Sequence, residues 1–433
     1  MNKYSLVLFI LVIIRVDTQA QSCLPEGITF TTQAQVDSFQ VNYPNCSQIE
    51  GDVTIGQWDI EINITHLNGL SVLNSIGGTL KIWYTDSLTS LTGLEGLTFI
   101  GGGLSISVND ALTSLSGLNN VTSIHNEIEI DNNAALTSLT GLNNVTSVGG
   151  YIHIQINPVL TSLTGLDNVT SIGGSLWILH NPVLTNLEPL HKVDSIMDFL
   201  WIYSNNALTS LEGLENITYV GEDLSISGNP LLTSMTGLEG LTFIGGIIVL
   251  DDNIALTSIT SLANVTSIGG RIEFDGNWTL TSLIGLDNIS AGSITGINII
   301  NNYALSTCEV QSICDYLAIP NGFVQFYNNA TGCNSQEEVE TACLNGVDET
   351  TIPDNQIKIF PNPSSTSITL SLPSTITVNS TTLSIRNVSA QQVLSRCITE
   401  PITILDIGTL PRGVYIVKIT DNSTVEFGKF VKQ

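Results

Sequence analysis

From Ile64 to Leu305 the apolar residues follow two alternating spacings. Leu88, Leu91, Leu94, Leu97 and Ile100 recur every three residues, and Leu104 and Ile106 then recur every two. Period two is the mark of a β-strand with one face buried. The period-three stretch is broken by Gly93 and by Gly101-Gly102, which makes it too short and too turn-rich for a helix; it predicts tight or extended segments wrapped around a core. The pattern then repeats. Leu88, Leu112, Leu136, Leu160, Leu184, Leu208, Leu232, Leu256 and Leu280 stand 24 residues apart, Ile64 extends the series backward, and Leu305 follows Leu280 by 25. The unit reads L-T-S-L-x-G-L-x-N-V-T-S-I-G-G-x-L-x-I-x-x-N. A single unit cannot bury its apolar side, so units must stack. The prediction is an all-β chain built on a right-handed parallel β-solenoid with 24-residue coils. Its eleven units at about 4.8 Å each make a rod of about 50 Å.

An asparagine column runs through the repeat: Asn109, Asn133, Asn157, Asn181, Asn205, Asn229, Asn253 and Asn277, with Asn302 after the insertion. Its rigid spacing among varied neighbours predicts a structural ladder of buried amides that satisfies backbone groups where each coil turns. The Thr column from Thr89 to Thr281 and the Ser column beside it read as solvated turns. Both ends need caps, because a bare terminal coil exposes its core and its strand edges. Cys23 and Cys46 mark the front, ahead of a first strand at Gly51–Ile55. Cys308, Cys314, Cys333 and Cys343 mark the back, where Cys308–Cys314 reads as helical and Ser335–Glu338 as a capping box before a second short helix ending near Cys343. Without a C-x-x-C pair, these six cysteines read as disulfide-forming rather than zinc-binding, in a connectivity the spacing leaves open. Cys397 is left over.

On the residues Cys46, Ile49, Gly51, Val53 and Ile55, and on the recurring G-L-x-x-L/V-x-x-I-G-G-x-L-x-I, the stretch from Cys46 to Leu305 resembles the receptor L-domain, a leucine-rich solenoid. The resemblance implies a fold and carries over no ligand. After Asn345 the composition changes. Alternating strands at Ile368–Leu372, Leu383–Ile385 and Val414–Ile419 predict a small β-sandwich. Ile359-Phe360-Pro361-Asn362-Pro363, Leu410-Pro411-x-Gly413-Val414-Tyr415 and the closing Lys429–Gln433 resemble the C-terminal sorting domain of Bacteroidetes proteins exported by the type IX secretion system. That likeness implies passage across the outer membrane by way of the type IX machinery, engaged through residues 357–433, with attachment to the cell surface or release.

The expected organisation is therefore a signal peptide at 1–20, an N-terminal cap at 21–50, the solenoid at 51–305, a disulfide-bearing cap at 306–345, a linker at 346–356 and the sorting sandwich at 357–433. The signal peptide rests on Lys3, the apolar run Leu6–Ile14 and a cleavage site at Thr18-Gln19-Ala20; that run is too short to span a bilayer. Charge narrows the partners. The chain of 433 residues carries a formal charge of −27 with only 12 Lys and Arg. Between Ile64 and Leu305 the basic residues are Lys81, Lys192 and Arg271 alone. Nucleic acid and anionic membranes are excluded as partners, and no insertion of the mature chain into a membrane is expected.

The sequence holds no phosphate loop, no metal set, no cofactor motif and no nucleophile in a special turn. Histidines fall at unrelated coil positions. Glu127, Glu129 and Asp131, with Glu273 and Asp275, lie outward on strands and could imitate an acidic hydrolase pair, yet no constellation gives each residue a role, so no enzyme is expected. The outward strand positions are small or acidic in most coils, as in Gly103, Ser105 and Ser107. Three neighbouring coils differ, with Tyr151, His153 and Gln155, then Ser175, Trp177 and Leu179, then Phe199, Trp201 and Tyr203; Trp83 is a lesser outlier. Exposed aromatic clusters mark contact surfaces. Tyr151, His153, Trp177, Phe199, Trp201 and Tyr203 are the expected ligand site of a secreted or cell-surface adhesion protein whose partner is a glycan or a surface protein. Two other readings of the rings are cover by the irregular segment Glu188–Phe199 and a dimer contact. For the whole protein the alternatives are ice binding and a purely structural surface-layer spacer.

Overall fold

The computed structural model describes residues 21–319, 322–345, 357–372, 381–387, 391–420 and 425–433. The signal peptide and the linker expected at 1–20 and 346–356 lie outside the described residues. The chain forms two compact units, one ending at Leu344 and the other starting at Asn345.

The first unit is a parallel β-solenoid with two sheets. One has 13 strands, mostly of four residues, and the other has 11 shorter ones. Pairing is in register with the repeat: Leu104 lies beside Ile128, and Ile128 beside Ile152. In each coil the period-two segment supplies the longer strand, Leu104–Ser107 in one case. The period-three segment is a chain of tight turns, with Leu94 N–H donating to Leu91 O at 3.1 Å and Leu97 N–H to Leu94 O at 2.9 Å. Such turns present one side chain in three to the axis, which is why the leucine period is three. Leu88, Leu91, Leu94, Leu97, Ile100, Leu104 and Ile106 are all fully buried. Each such side chain contributes about 1.5–3 kcal/mol over exposure. Only stacked coils can collect it.

One glycine column is required by the turns. Gly93, Gly117, Gly141, Gly165, Gly213, Gly237 and Gly285 have φ between 108° and 126°. A Cβ on Gly93 would lie 2.2 Å from Leu67 O in the preceding coil. Pro189 and Ser261 stand where that glycine would be, and there the backbone forms 3-10 turns instead, at Glu188–Leu190 and Thr260–Leu262.

The stack runs past the eleven sequence units at both ends. Ile28–Phe30 pairs with Val53–Gly56, and Gln21–Cys23 pairs with Cys46–Ile49, so the front segment is itself a coil. Between these strands lie two short helices, Gln33–Asp37 and Phe39–Asn42. The first carries a capping box from Thr32 and Gln35 that the sequence reading missed. At the back, Phe323–Tyr327 pairs with Gly296–Ile300 and closes the sheet. The helix expected at Cys308–Cys314 forms at Gln311–Leu317, because Val310 is still extended and serves as its N-cap. The Ser335 box is half formed. Glu338 N–H donates to Ser335 Oγ at 3.2 Å, while the Glu338 carboxylate accepts from Gly332 and Asn334 N–H rather than from Ser335. Disulfides join Cys23 to Cys46, Cys308 to Cys333 and Cys314 to Cys343, one across the front coil and two across the rear cap.

The second unit is antiparallel. Lys358–Phe360, Ser367–Ser371 and Ile402–Asp406 form one sheet; Gln392–Ile398, Thr381–Asn387, Gly413–Thr420 and Val425–Lys432 form the other. Ile368, Leu370 and Leu405 from the first share one core with Leu383, Ile385, Val417, Ile419 and Phe430 from the second. Cys397 is exposed and outside any disulfide.

Candidate functional site

Each residue of the asparagine column is fully buried. Asn133 Nδ2 donates to Ile106 O of the coil before at 2.9 Å and to Asp131 O of its own coil at 3.0 Å, while its Oδ1 accepts from Asn109 N–H at 3.2 Å. The same set recurs at Asn157, Asn181 and Asn229. No atom of these amides is left over for a ligand.

The hydroxyl columns are exposed, and they are also committed. Thr161 Oγ1 donates to Thr137 O at 3.3 Å, and Thr257 Oγ1 to Thr233 O at 3.0 Å. Ser138 and Thr140 hydroxyls lie 3.0 Å apart, and Ser162 and Thr164 hydroxyls 2.7 Å apart. Hydroxyls that bond one another within a coil do not offer an evenly spaced outward grid to water.

The longer-strand sheet brings the six aromatic-patch residues together. Parallel register sets His153 beside Trp177 and Trp177 beside Trp201, with Leu179 beside Tyr203. The rings of Tyr151, Trp177 and Trp201 stack in sequence, with centroids 5.4 and 5.5 Å apart and interplanar angles of 27°. His153 stands edge-on to Trp177 at 5.3 Å, and Phe199 tilts against Trp201 at 5.4 Å. Trp201 and Tyr203 remain 36% and 44% exposed; the other four are half-buried, largely among themselves. Of the segment Glu188–Phe199, the last residue, Phe199, meets the rings as a member of the patch, while the stretch before it turns elsewhere. Its bonds run to the turn side of the coil, from Lys192 Nζ to Asn168 at 2.6 Å and from Asn216 Nδ2 to His191 O at 2.6 Å.

Polarity inside the patch is incomplete. Asp131 Oδ1, His153 Nε2 and Trp177 Nε1 are buried with no hydrogen-bond partner. Burial, aided by Glu129, raises the Asp131 carboxyl above its usual range. Burial lowers His153 despite the nearby Glu129 and Asp131 and a hydrogen bond with Gln155. It also raises Tyr151, with Glu129 and Glu127 adding to the effect. Gln155 hydrogen-bonds both the Asp131 carboxylate and the His153 ring, so of these three groups the Trp177 indole N–H is the one with no partner at all, where buried groups are normally paired.

The two acidic sets do not meet. Glu129 and Glu273 lie on strands six pairings apart in the sheet, about 29 Å at the usual strand spacing. A hydrolase pair sits within about 10 Å. Glu129 instead accepts from Ser105 Oγ at 2.8 Å, and Glu273 pairs with Arg271 at 2.7 Å. Sequence reading missed a pair that joins one member of the second set to a neighbour outside it. Asp251 lies beside Asp275, whose N–H it accepts at 3.2 Å, and burial followed by the Asp275 charge pushes Asp251 up to about 7.

Smaller aromatic groups were also missed. Trp58, 60% exposed, stands edge-on to both Trp83 and Tyr84 at 5.4 Å. Trp83 Nε1 donates to Ser105 Oγ at 2.8 Å, which marks it as anchored. On the shorter-strand sheet Tyr219 stacks on Phe243 at 5.1 Å. The signal for that pair was present, since both replace a serine that recurs before the Ile or Val of each short strand.

In the second unit the three sorting motifs meet. Asn362 Nδ2 donates to Lys429 O at 3.1 Å and Asn362 Oδ1 accepts from Val431 N–H at 2.8 Å, so the Pro-Asn-Pro segment is clipped to the last strand. Tyr415 stacks on Phe430 at 5.3 Å, and its hydroxyl donates to Pro411 O at 2.8 Å. A long all-β repeat unit followed by such a sandwich defines an exported protein with a sorting tail. Residues 358–433 match the family described as the secretion system C-terminal sorting domain. No curated protein matches the chain. The tail marks the protein as secreted or attached to the outer cell surface, and it implies contact with the secretion machinery. Among the described residues no helix is long and apolar enough to cross a membrane.

Proposed function

We propose that this is a non-enzymatic binding protein of the cell exterior, an adhesin-like solenoid that meets its ligand through Tyr151, His153, Trp177, Phe199, Trp201 and Tyr203. The observation that carries the reading is the ring stack, which leaves Trp201 and Tyr203 exposed at its end. A purely structural surface gains nothing from exposing two large aromatics at the end of a ring stack. The sorting tail supports the location. The resemblance of Cys46–Leu305 to receptor L-domains belongs to this same proposal. Ice binding is the weaker reading, because the hydroxyl columns spend their donors internally.

The test is the double variant Trp177→Ala with Trp201→Ala in the mature chain, assayed on a glycan array and on intact cells. Binding is expected to vanish while the melting temperature stays close to the parent's, since both indoles point away from the core. Retained binding would refute the reading. A large fall in melting temperature would show the rings to be structural instead.

A further inference from the structure

The patch also carries information on what it binds, and the following rests on its being a ligand surface. Tyr151, Trp177 and Trp201 belong to three consecutive coils, so the rings advance at one per coil. Flat rings lying squarely face to face have centroids closer than the 5.4 and 5.5 Å seen here, so the stack is offset and neighbouring rings cover one another only in part. A pyranose in an extended chain is about as long as one coil step, which is about 4.8 Å. Successive sugars of a chain lying along the solenoid axis therefore meet successive rings.

Charge selects among sugars. Glu127, Glu129 and Asp131 lie on the coil before the rings, with Asp223 and Asp251 on the two coils after them. Lys81, Lys192 and Arg271 are the basic residues between Ile64 and Leu305. An anionic glycan is repelled at both ends. Beyond Trp201 the ring column stops. Ser225 lies beside Trp201 and Ser227 beside Tyr203, with their hydroxyls 3.4 Å apart, and Val249 lies one coil further.

We propose that Tyr151, Trp177 and Trp201 form a track on which a neutral, extended polysaccharide lies along the solenoid axis, one sugar per coil. The probe is the series of β-1,4-linked glucose oligomers from dimer to hexamer, titrated calorimetrically into the full mature chain. Affinity is expected to rise steeply with length up to the span of the three rings and then level off. Trp201→Ala should lower it about tenfold, the loss of one good stacking contact. Ser225→Trp, which adds a fourth ring in register, should move the plateau one sugar further. Trp278→Ala, outside the patch, should bind like the parent. The track is overturned if no oligomer binds, if affinity ignores length, or if Trp201→Ala binds like the parent. Should the oligomers fail while the double tryptophan variant still loses its hold on cells, the track falls and the patch stands. If that variant keeps its hold, the patch reading falls too.

Discussion

Strands Leu104–Ser107 and Leu224–Ser227 have the same sequence, Leu-Ser-Ile-Ser, whereas Leu176–Leu179 reads Leu-Trp-Ile-Leu and Leu200–Tyr203 reads Leu-Trp-Ile-Tyr. All four share one sheet, one register and the same fully buried Leu and Ile. Nothing in the backbone distinguishes the plain region from the aromatic one. Inward positions are held constant because each must fit a column of like residues above and below it. Outward positions point away from the core, even where neighbours cover them as at Ser105 and Ser107, and are free to differ, so that is where function can be written without cost to the stack. Stability and recognition should therefore separate cleanly by column. Five substitutions, in three groups, test how clean the separation is.

The largest loss should come from the ladder. Asn205 Nδ2 donates to Ile178 O at 2.8 Å and to Tyr203 O at 3.2 Å, and its Oδ1 accepts from Asn181 N–H at 3.2 Å. Asn205→Leu leaves these backbone groups buried without a partner and should cost about 1–3 kcal/mol. Thr209→Ala, four residues on in an exposed turn, keeps its backbone bond to Thr233 and should cost well under 1 kcal/mol. Denaturant melts of the two variants give the comparison directly; equal losses would mean that the columns do not divide inside from outside.

Asp251 should blur the division, because it is an outward residue that stability depends on. Its pKa is about 7 in the folded chain, against 3.8 for a free side chain, mainly through burial and then through Asp275, with Asp252 and Glu273 adding to it. Between those values the folded state holds a proton that the unfolded state has released. Stability therefore falls as pH rises from about 4 to about 7, and is level above that. Asp251→Asn should remove this slope and raise stability at neutral pH by on the order of 1 kcal/mol, a figure reduced for the group's partial exposure. Melting curves at pH 4.5 and 7.5 would show it; an unchanged difference between the two would exclude the effect.

Much of this was legible in the chain because the repeat states its geometry many times over. The leucine columns place the core, the asparagine column the ladder, and the break in outward residues the aromatic patch. Ends were harder. Ile28–Phe30 and Phe323–Tyr327 join the sheet without matching the unit, since a capping coil has a stacked neighbour on one side only and its outer face need not repeat. The Asp251–Asp275 pair escaped because two carboxylates on neighbouring coils look like any solvated acids until burial is known. Trp58 was hidden for a different reason: it lies in an irregular excursion, and only the fold places it against Trp83 and Tyr84.

A third column is neither inward nor outward, and it yields the smallest change, a gain. The residue before each ladder asparagine takes a left-handed conformation: φ is 54° at Asn132, 65° at Gly228 and 57° at Asn301. Glycine and asparagine accept this readily. Val108 and Ile156 occupy the same position, with φ of 56° and 52°. A β-branched residue there crowds the following carbonyl at a cost of roughly 1–2 kcal/mol. The column also shows the remedy, since Asn132 and Asn301 already sit in it. Val108→Asn keeps every ladder bond, removes the clash and should raise stability by about 1 kcal/mol, read as a higher denaturation midpoint with unchanged slope. Ile156 is the more telling of the two, because it adjoins the patch and is exposed. If Ile156→Asn stabilises as much as Val108→Asn yet weakens binding, that isoleucine is held in strain for its contact with the ligand. If binding is untouched, the patch ends at the strand.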